Sequence, residues 1–485
     1  MKKQGIIFFI ICFILCPILF AQEQRNVRYQ PFKSVAPQQA AVTLGNQWCP
    51  EELVALGLRK QKTHTALQQF CNQLFPEKNT PTIAIACSGG GFRAAVATLG
   101  LLQGLEKIGL LDAVTYIASI SGATWTTSSW LVHNYTLDEL ELFLRKSMYH
   151  AFYPENLCLP ALALSIISKM QDTRYISIND LWGGMLGDIF LSRIEDFGGQ
   201  TTHLSDLAAS TLQGKNPIPI FSAVIGESGP FYQWVEFSPF NVGSPELEVW
   251  IPSWAFGRKF NQGTSLSTGH QETLAYLLGL FGSAYAVNMS DAIKSIEETL
   301  ENSFNVTLPL DCFTWVAKKV WGQKRISPPE VNNFMYQLEK KPYYNNQRLT
   351  FVDAGVAFNL PFPPLLRRNV DIYIVCDASG DIRGIINNQL KKSQEYAINN
   401  GFAFPLLNLQ EITTQDCSII IDPQNATAPV IIYAPNFTDI STLDLDYSEQ
   451  DFSLVLNATR NAILNNVEKI KGAVFNTIKN SLKSI

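Results

Sequence analysis

Three short segments hold residue types that could together carry out acyl transfer. The first is Ser119-Ile120-Ser121-Gly122-Ala123, which follows the apolar run Val114 to Ile120. A serine on a tight strand-to-helix turn stands exposed as a nucleophile, and the residues two before and two after it must be small because strand and helix cross there. The usual outer glycines are Ser119 and Ala123 here, both small, so the pentapeptide reads either as a nucleophile elbow or as an ordinary turn. The second segment is Ser88-Gly89-Gly90-Gly91-Phe92-Arg93. Three glycines before a helix let backbone N–H groups turn outward, and the helix dipole adds positive potential. Such a loop can hold an oxyanion, or it can be a structural turn. No G-x-x-x-x-G-K-S/T and no G-x-G-x-x-G is present, so the phosphate-loop and dinucleotide readings fail. The third is Phe351-Val352-Asp353-Ala354-Gly355. A partly desolvated aspartate after a strand has a raised pKa and is a competent base, although the same residue could simply cap a helix. His64, His133, His150, His203 and His270 sit at no strand end and in no glycine turn, so a carboxylate replaces histidine as the candidate base.

The elements needed to position these groups are legible around them. Thr82–Cys87 is a short apolar run of the kind a buried parallel strand shows, and Phe92–Ile108 is a helical stretch of small residues. Val114–Ile120 is a second strand, followed by a helix from Ala123. Strand, glycine turn and helix, twice over, predict an α/β fold with a central, mostly parallel sheet flanked by helices. Leu349–Val352 and Val370–Cys376 are further strands, ending in Asp353 and Asp377. Ligands gather beyond the carboxyl ends of such strands, where Ser88, Ser121 and Asp353 all fall. Helices are also predicted over Glu51–Phe75 and over Ser453–Ile485. No fixed-period repeat or linker divides the 485 residues, which favours one large domain with insertions.

The amino terminus has Lys2 and Lys3, an apolar run from Ile6 to Phe20, and then Ala21. That is the grammar of a cleaved secretory signal peptide, and the run falls short of the ~20 residues of a spanning helix. The expected division is a signal peptide over 1–21, a polar lead-in over 22–79 and a catalytic domain over 80–485. Export makes the protein secreted and permits disulfides. Cys49 and Cys71 are the favoured pair, while Cys87 and Cys376 end apolar strands and read as core. No cysteine–histidine spacing suggests zinc, so no metal is expected. Six N-x-S/T sites occur, at Asn134, Asn288, Asn305, Asn425, Asn436 and Asn457. The net charge of −5, more negative once Lys2 and Lys3 are removed, gives no footprint for nucleic acid. It also requires any peripheral contact with a membrane or micelle to be largely apolar. Leu157–Ile167 is an apolar stretch whose ordinary reading is a buried helix and whose functional reading is a lid or docking surface.

Taken together, these segments resemble the catalytic domain of the cytosolic phospholipase A2 family, which includes the secreted fungal phospholipases B. The family's S-G-G-G-x-R-A is matched by Ser88 to Ala94, and its T-Y-x-A-G-L-S-G-S-T-W by Thr115 to Trp125. Its D-S-G-x-x-F-N-L-P-Y-P is matched by Asp353 to Pro363. Leu186-Gly187-Asp188, Trp234 to Pro239, Phe256-Gly257 and Gly282-Ser283-Ala284 follow family order between them. The resemblance implies a patatin-like α/β fold and a serine–aspartate dyad, with Ser121 forming an acyl-enzyme and Asp353 accepting its proton. It further implies an oxyanion hole at Gly90 and Gly91, and Arg93 set against the substrate phosphate. Nothing before residue 80 resembles the family's calcium-binding C2 module, so calcium-independent hydrolysis without a cofactor is expected. The leader resembles the secreted branch, whose members often cleave lysophospholipids, whereas the block around Asp353 resembles the cytosolic branch. Two alternatives stand beside a phospholipase or lysophospholipase: a patatin-like general lipid acyl hydrolase, and a catalytically inactive secreted lipid-binding protein.

Overall fold

The computed structural model describes residues 38–152, 165–166, 169, 175, 177–191, 201–226, 232–266, 271–284, 329–380, 383–384, 388–425 and 427–483. The expected leader, the first part of the expected lead-in, nearly all of Leu157–Ile167, His270, Asn288 and Asn305 lie outside them.

Alternation within the strands builds three layers. In β2 (Ile83–Cys87), Ile83, Ile85 and Cys87 join one apolar cluster while Ala84 and Ala86 join another on the opposite face. The same holds for β12 (Ile372–Asp377), with Ile372, Ile374 and Cys376 on one side and Tyr373 and Val375 on the other. Both strands are buried on both faces, which is why they read as continuous apolar runs.

The described strands are β1 (Thr43–Leu44), β2, β3 (Val114–Ser119), β4 (Ile218–Ile225), β5 (Gln233–Phe237), β6 (Asn241–Ser244), β7 (Val249–Pro252), β8 (Phe260–Asn261), β9 (Thr264–Ser265), β10 (Glu330–Asn332), β11 (Arg348–Asp353), β12, β13 (Ser418–Ile420) and β14 (Val430–Pro435). All but the separate β8–β9 pair form one twelve-stranded sheet ordered β1-β7-β6-β5-β4-β3-β2-β12-β14-β13, with β11 on β4 and β10 on β11. Its centre, β4-β3-β2-β12-β14, is parallel, and the flanking pairs are antiparallel.

The helices that pack on it are α1 (Pro50–Cys71), α2 (Gly91–Lys107), α3 (Gly122–His133), α4 (Leu137–Met148), α5 (Ile178–Leu191), α6 (Leu274–Phe281), α7 (Gln389–Asn399), α8 (Glu449–Asn465) and α9 (Val467–Lys483). Helices α2 and α8 approach until a Cβ on Gly100 would lie 2.5 Å from the Leu456 carbonyl oxygen. Among the described residues no helix is long and apolar enough to cross a membrane.

Several expectations change. Strand β11 does not run parallel to its neighbours: it pairs antiparallel with β4. The single C-terminal helix is two, because Asn466 leaves helical geometry while its side chain donates to the Ala462 carbonyl at 2.9 Å. Cys49 and Cys71 are both free thiols. They flank and end the 22-residue helix α1, whose rise of about 1.5 Å per residue holds them roughly 30 Å apart. Cys87 and Cys376 do lie in the core, on paired positions of β2 and β12. Of the glycosylation sequons, Asn436 is fully buried with its amide on the Val455 carbonyl and Thr459 hydroxyl, so no glycan fits there.

The lead-in helix α1 is anchored in the domain by buried charge. The Arg59 guanidinium donates to the carbonyls of Val114, Gly214, Lys215, Leu111 and Asp112, tying the start of β3 to the loop before β4. Burial pulls its pKa down to about 10. Arg368 pairs with Glu52 at 2.9 Å and with Glu236 at 2.8 Å, and Glu236 also takes a two-point bond from Arg367. Two cations thus meet two anions in the interior, which a lone buried charge could not tolerate.

Candidate active site

Strand β4 sets the site's geometry. Along one of its edges β3 runs parallel as far as Ser119, opposite Phe221. Along the same edge β11 runs in the opposite direction and ends at Asp353, opposite Ala223. The carboxyl ends of β3 and β11 therefore point at each other with one β4 residue, Ser222, between their last partners. The chain leaving β3 turns through Ser121, and the chain leaving β11 turns through Asp353, so the two side chains face one another.

Ser121 sits in a backbone conformation, φ 49° and ψ −130°, that side-chain-bearing residues rarely adopt. The turn is held by its surroundings. Ala123 and Thr124 N–H groups bond the carbonyls of Ile120 and Ser121, and the Ser119 and Thr127 hydroxyls share a hydrogen bond of 2.9 Å. The serine in place of the first elbow glycine thus has its own partner on α3. Gly122 has no alternative: a Cβ there would lie 2.0 Å from the Gly91 carbonyl oxygen. Ser121 is 5% exposed.

The glycine loop lies against this turn. A Cβ on Gly89 would be 2.7 Å from the Ser121 Cβ. Gly90 and Gly91 have φ of 138° and 57°, conformations that glycine adopts without a steric penalty. Among the described residues their N–H groups have no hydrogen-bond partner. Helices α2 and α3 both begin here, so two positive dipole ends converge on Ser121.

Asn359, which individual motif reading passed over, holds the loop in place. Its Oδ1 accepts from Gly89 N–H at 3.1 Å, and its Nδ2 donates to the Gly89 carbonyl at 3.0 Å and to the Ser379 hydroxyl at 2.8 Å. Ser379 in turn donates to Asp377, which also accepts from Tyr433. A Cβ on Gly355 would meet the same Asn359 oxygen at 2.7 Å, so this amide also abuts the turn after Asp353. The only local signal for it was its place in the Asp353 to Pro363 block.

Asp353 is fully buried. Burial raises its pKa from 3.8 to about 6, opposed by the Gly355 N–H, the Ser121 hydroxyl and the Ala284 N–H. Gly355 N–H donates to Oδ1 at 2.8 Å, and the Asp353 N–H donates to the Ser283 hydroxyl at 3.0 Å. Ser283 and Ala284 follow α6, which Trp125 presses from the elbow side at Gly282. Among the described residues Oδ2 has no partner of ordinary hydrogen-bond geometry, so Ser121 stands near the carboxylate without a closed bond. Such contacts often tighten only when substrate is bound.

Arg93 is placed differently from the expectation. It is 4% exposed, and all three guanidinium nitrogens donate to backbone carbonyls, those of Ala378, Ser379, Thr438 and Ile440. It clamps the loops after β12 and β14 and has no donor left over for a phosphate in this arrangement. The described histidines lie elsewhere: His64 bonds Thr80, His133 stacks on Tyr135, His150 pairs with Asp446 and His203 with Asp206. Among the described residues no group of three His, Cys, Asp or Glu side chains could hold a metal ion.

Comparison with known proteins supplies a frame for this geometry. The family profile described as the lysophospholipase catalytic domain matches residues 83–472. The chain is similar to mouse cytosolic phospholipase A2 delta, 26% identical over 469 residues that cover 83% of this chain and 56% of that protein. It is also similar to mouse cytosolic phospholipase A2 epsilon, 25% identical over 88% of this chain and 59% of that one. The chain therefore spans less than two thirds of these relatives. Among solved structures, human GIVD cytosolic phospholipase A2 superposes with a TM-score of 0.78 at 22% identity, over 92% of this chain and 67% of that one. That likeness is one of fold, a sheet flanked by helices as the two strand–turn–helix units require.

Proposed function

This chain belongs to the lysophospholipase catalytic-domain family, and on that footing we propose that it hydrolyses fatty-acyl esters of phospholipids or lysophospholipids through Ser121 and Asp353. The observation that carries the reading is a buried carboxylate beside a strained serine, with one carboxylate oxygen and the flanking glycine N–H groups unpartnered among the described residues.

In the first half-reaction Asp353 takes the hydroxyl proton as Ser121 Oγ attacks the acyl carbonyl. Negative charge develops on the carbonyl oxygen, where the N–H groups of Gly90 and Gly91 receive it. Collapse breaks the ester C–O bond, and the proton held by Asp353 passes to the departing alcohol. In the second half-reaction Asp353 takes a proton from water, the hydroxide attacks the acyl-enzyme, and Ser121 regains its proton as the fatty acid leaves. A histidine is unnecessary because burial already places the carboxyl pKa at about 6, close enough to neutrality for a base that is ionised yet protonatable.

The reading includes export behind a leader cleaved near Ala21, action at a membrane or micelle surface without spanning it, and independence of calcium. It is tested by fatty-acid release from phosphatidylcholine, lysophosphatidylcholine and triacylglycerol, with and without a calcium chelator. Wild type should release fatty acid, and Ser121→Ala and Asp353→Asn should not. Equal release by all three proteins would rule out the dyad. Triacylglycerol cleaved as fast as phospholipid would favour a general acyl hydrolase, and vesicle binding without release by any of them a lipid-binding protein. Mass analysis of the secreted chain reads the leader site.

A further inference from the structure

A cavity of about 320 Å³ opens where the loops after β12 and β14 meet, lined among others by Arg93, Gly380, Arg383, Phe437, Asp439 and Thr442. Because β12 and β14 run parallel to β2, these loops lie at the same edge of the sheet as the glycine loop. The contact is direct: a Cβ on Gly90 would come within 3.3 Å of the Thr442 methyl. The cavity therefore adjoins the loop whose N–H groups are assigned to the oxyanion. In a glycerophospholipid the phosphate follows the ester by only a few bonds, so it must lie in a space of this kind.

The charges in this cavity differ in how firmly they are held. Arg93 is buried and directs every nitrogen at a carbonyl. Arg383 is the opposite case. Among the described residues its one hydrogen bond goes to the Phe437 carbonyl at 3.2 Å, and its ion pair with Asp439 spans 3.6 Å between side chains 62% and 97% exposed. An exposed pair of this sort contributes little and exchanges readily. The guanidinium is a planar fork matched to two phosphate oxygens. Beside it, Asp439 offers a carboxylate and Phe437 an aromatic ring that already lies 5.1 Å from the Arg383 cation, the pairing that receives alkylammonium groups. Opposite charges thus stand side by side, as they do in a zwitterionic headgroup.

We propose that this cavity is the headgroup subsite, with Arg383 binding the phosphate and Asp439 and Phe437 the cationic amine of a phosphocholine or phosphoethanolamine group. The inference rests on the proposed function for its place in the reaction. Two measurements separate the ideas. Calorimetric titration with glycerophosphocholine reads the cavity without turnover. Wild type should bind, Arg383→Gln should lose about tenfold or more in affinity as a charge-assisted bond disappears, and Asp439→Asn should lose a smaller factor. Inorganic phosphate, titrated in parallel, should respond to Arg383→Gln and not be weakened by Asp439→Asn. The second measurement is the ratio of kcat/KM for dihexanoyl phosphatidylcholine to that for p-nitrophenyl butyrate, which lacks a headgroup. Arg383→Gln should lower that ratio about tenfold, through KM. Unchanged binding and an unchanged ratio in Arg383→Gln would overturn the subsite, whereas a wild type inert on both esters that still binds glycerophosphocholine would overturn the reaction and leave the subsite standing.

Discussion

Replacing Asp353 by asparagine should abolish ester hydrolysis and at the same time make the folded protein more stable at neutral and alkaline pH. The carboxyl is fully buried, and burial lifts its pKa from 3.8 to about 6 against the pull of the Gly355 and Ala284 N–H groups and the Ser121 hydroxyl. A carboxyl that holds its proton more tightly folded than unfolded takes up protons on folding. Stability from this group is therefore fully present below about pH 4, declines between pH 4 and 6, and is lost above pH 6. A shift of about two units corresponds to roughly 3 kcal/mol of penalty for the ionised form. Asparagine has the same shape, still accepts the Gly355 N–H through Oδ1, and carries no charge. The variant should match wild type near pH 4 and exceed it by up to about 3 kcal/mol at pH 8. That is roughly 3 °C in Tm for a chain of this length. Melting curves from pH 4 to 8, taken with p-nitrophenyl butyrate hydrolysis at the same pH values, provide the check. Wild-type kcat/KM should rise with pH through a midpoint near 6, falling about tenfold per unit below it. A Tm difference that does not grow with pH, or an activity midpoint near 4, would refute the account of Asp353 as a desolvated base.

Three other outcomes follow from particular contacts. Asn359→Ala should lower kcat about a hundredfold with KM little changed, because Gly89 loses both its bonds to Asn359, keeping only the Ser88 hydroxyl on its carbonyl, and the loop loses its aim, while Asn359→Asp, which keeps the acceptor for Gly89 N–H, should fall between; equal kcat in all three would show that the loop holds itself. Gly57→Ala, inside α1 with nothing within 4 Å of the added methyl, should stabilise by up to about 1 kcal/mol, whereas Gly122→Ala, aimed at the Gly91 carbonyl, should remove activity; Tm and turnover report the two. Arg368→Met strands Glu52 and part of the Glu236 pairing in the interior and should cost about 3–5 kcal/mol, seen as a lower denaturant midpoint.

Much of the site was legible because its parts are local. An apolar run buried on both faces, three glycines before a helix, and a serine between a strand and a helix each encode a conformation within a few residues. Hence β2, β3 and α2 lie within a residue or two of their expected bounds, α3 begins one residue before its expected start, and Ser121 and Asp353 fall in the turns that follow β3 and β11. What lay beyond sequence reading were properties of partners distant in the chain. Nothing near Arg93 says that carbonyls some 285 to 347 positions later will take its donors. The Cys49–Cys71 pairing, by contrast, already conflicted with the helix expected over Glu51–Phe75, whose rise carries Cys71 out of reach. The polar lead-in gave no sign that Glu52 and Arg59 would be interior residues, since their partners lie in other segments.

The amino-acid sequence by itself determined which residues are the candidates: Ser121, Asp353, the glycine loop and the strands that lead into them, because hydrophobic period and glycine freedom are written in neighbouring residues. Tertiary structure alone decided how they meet. The reversed entry of β11 along β4, the Asn359 brace on Gly89 and the burial that moves the Asp353 pKa all depend on register and packing between distant segments, and a strand's direction in a sheet is set by those partners rather than by its own residues.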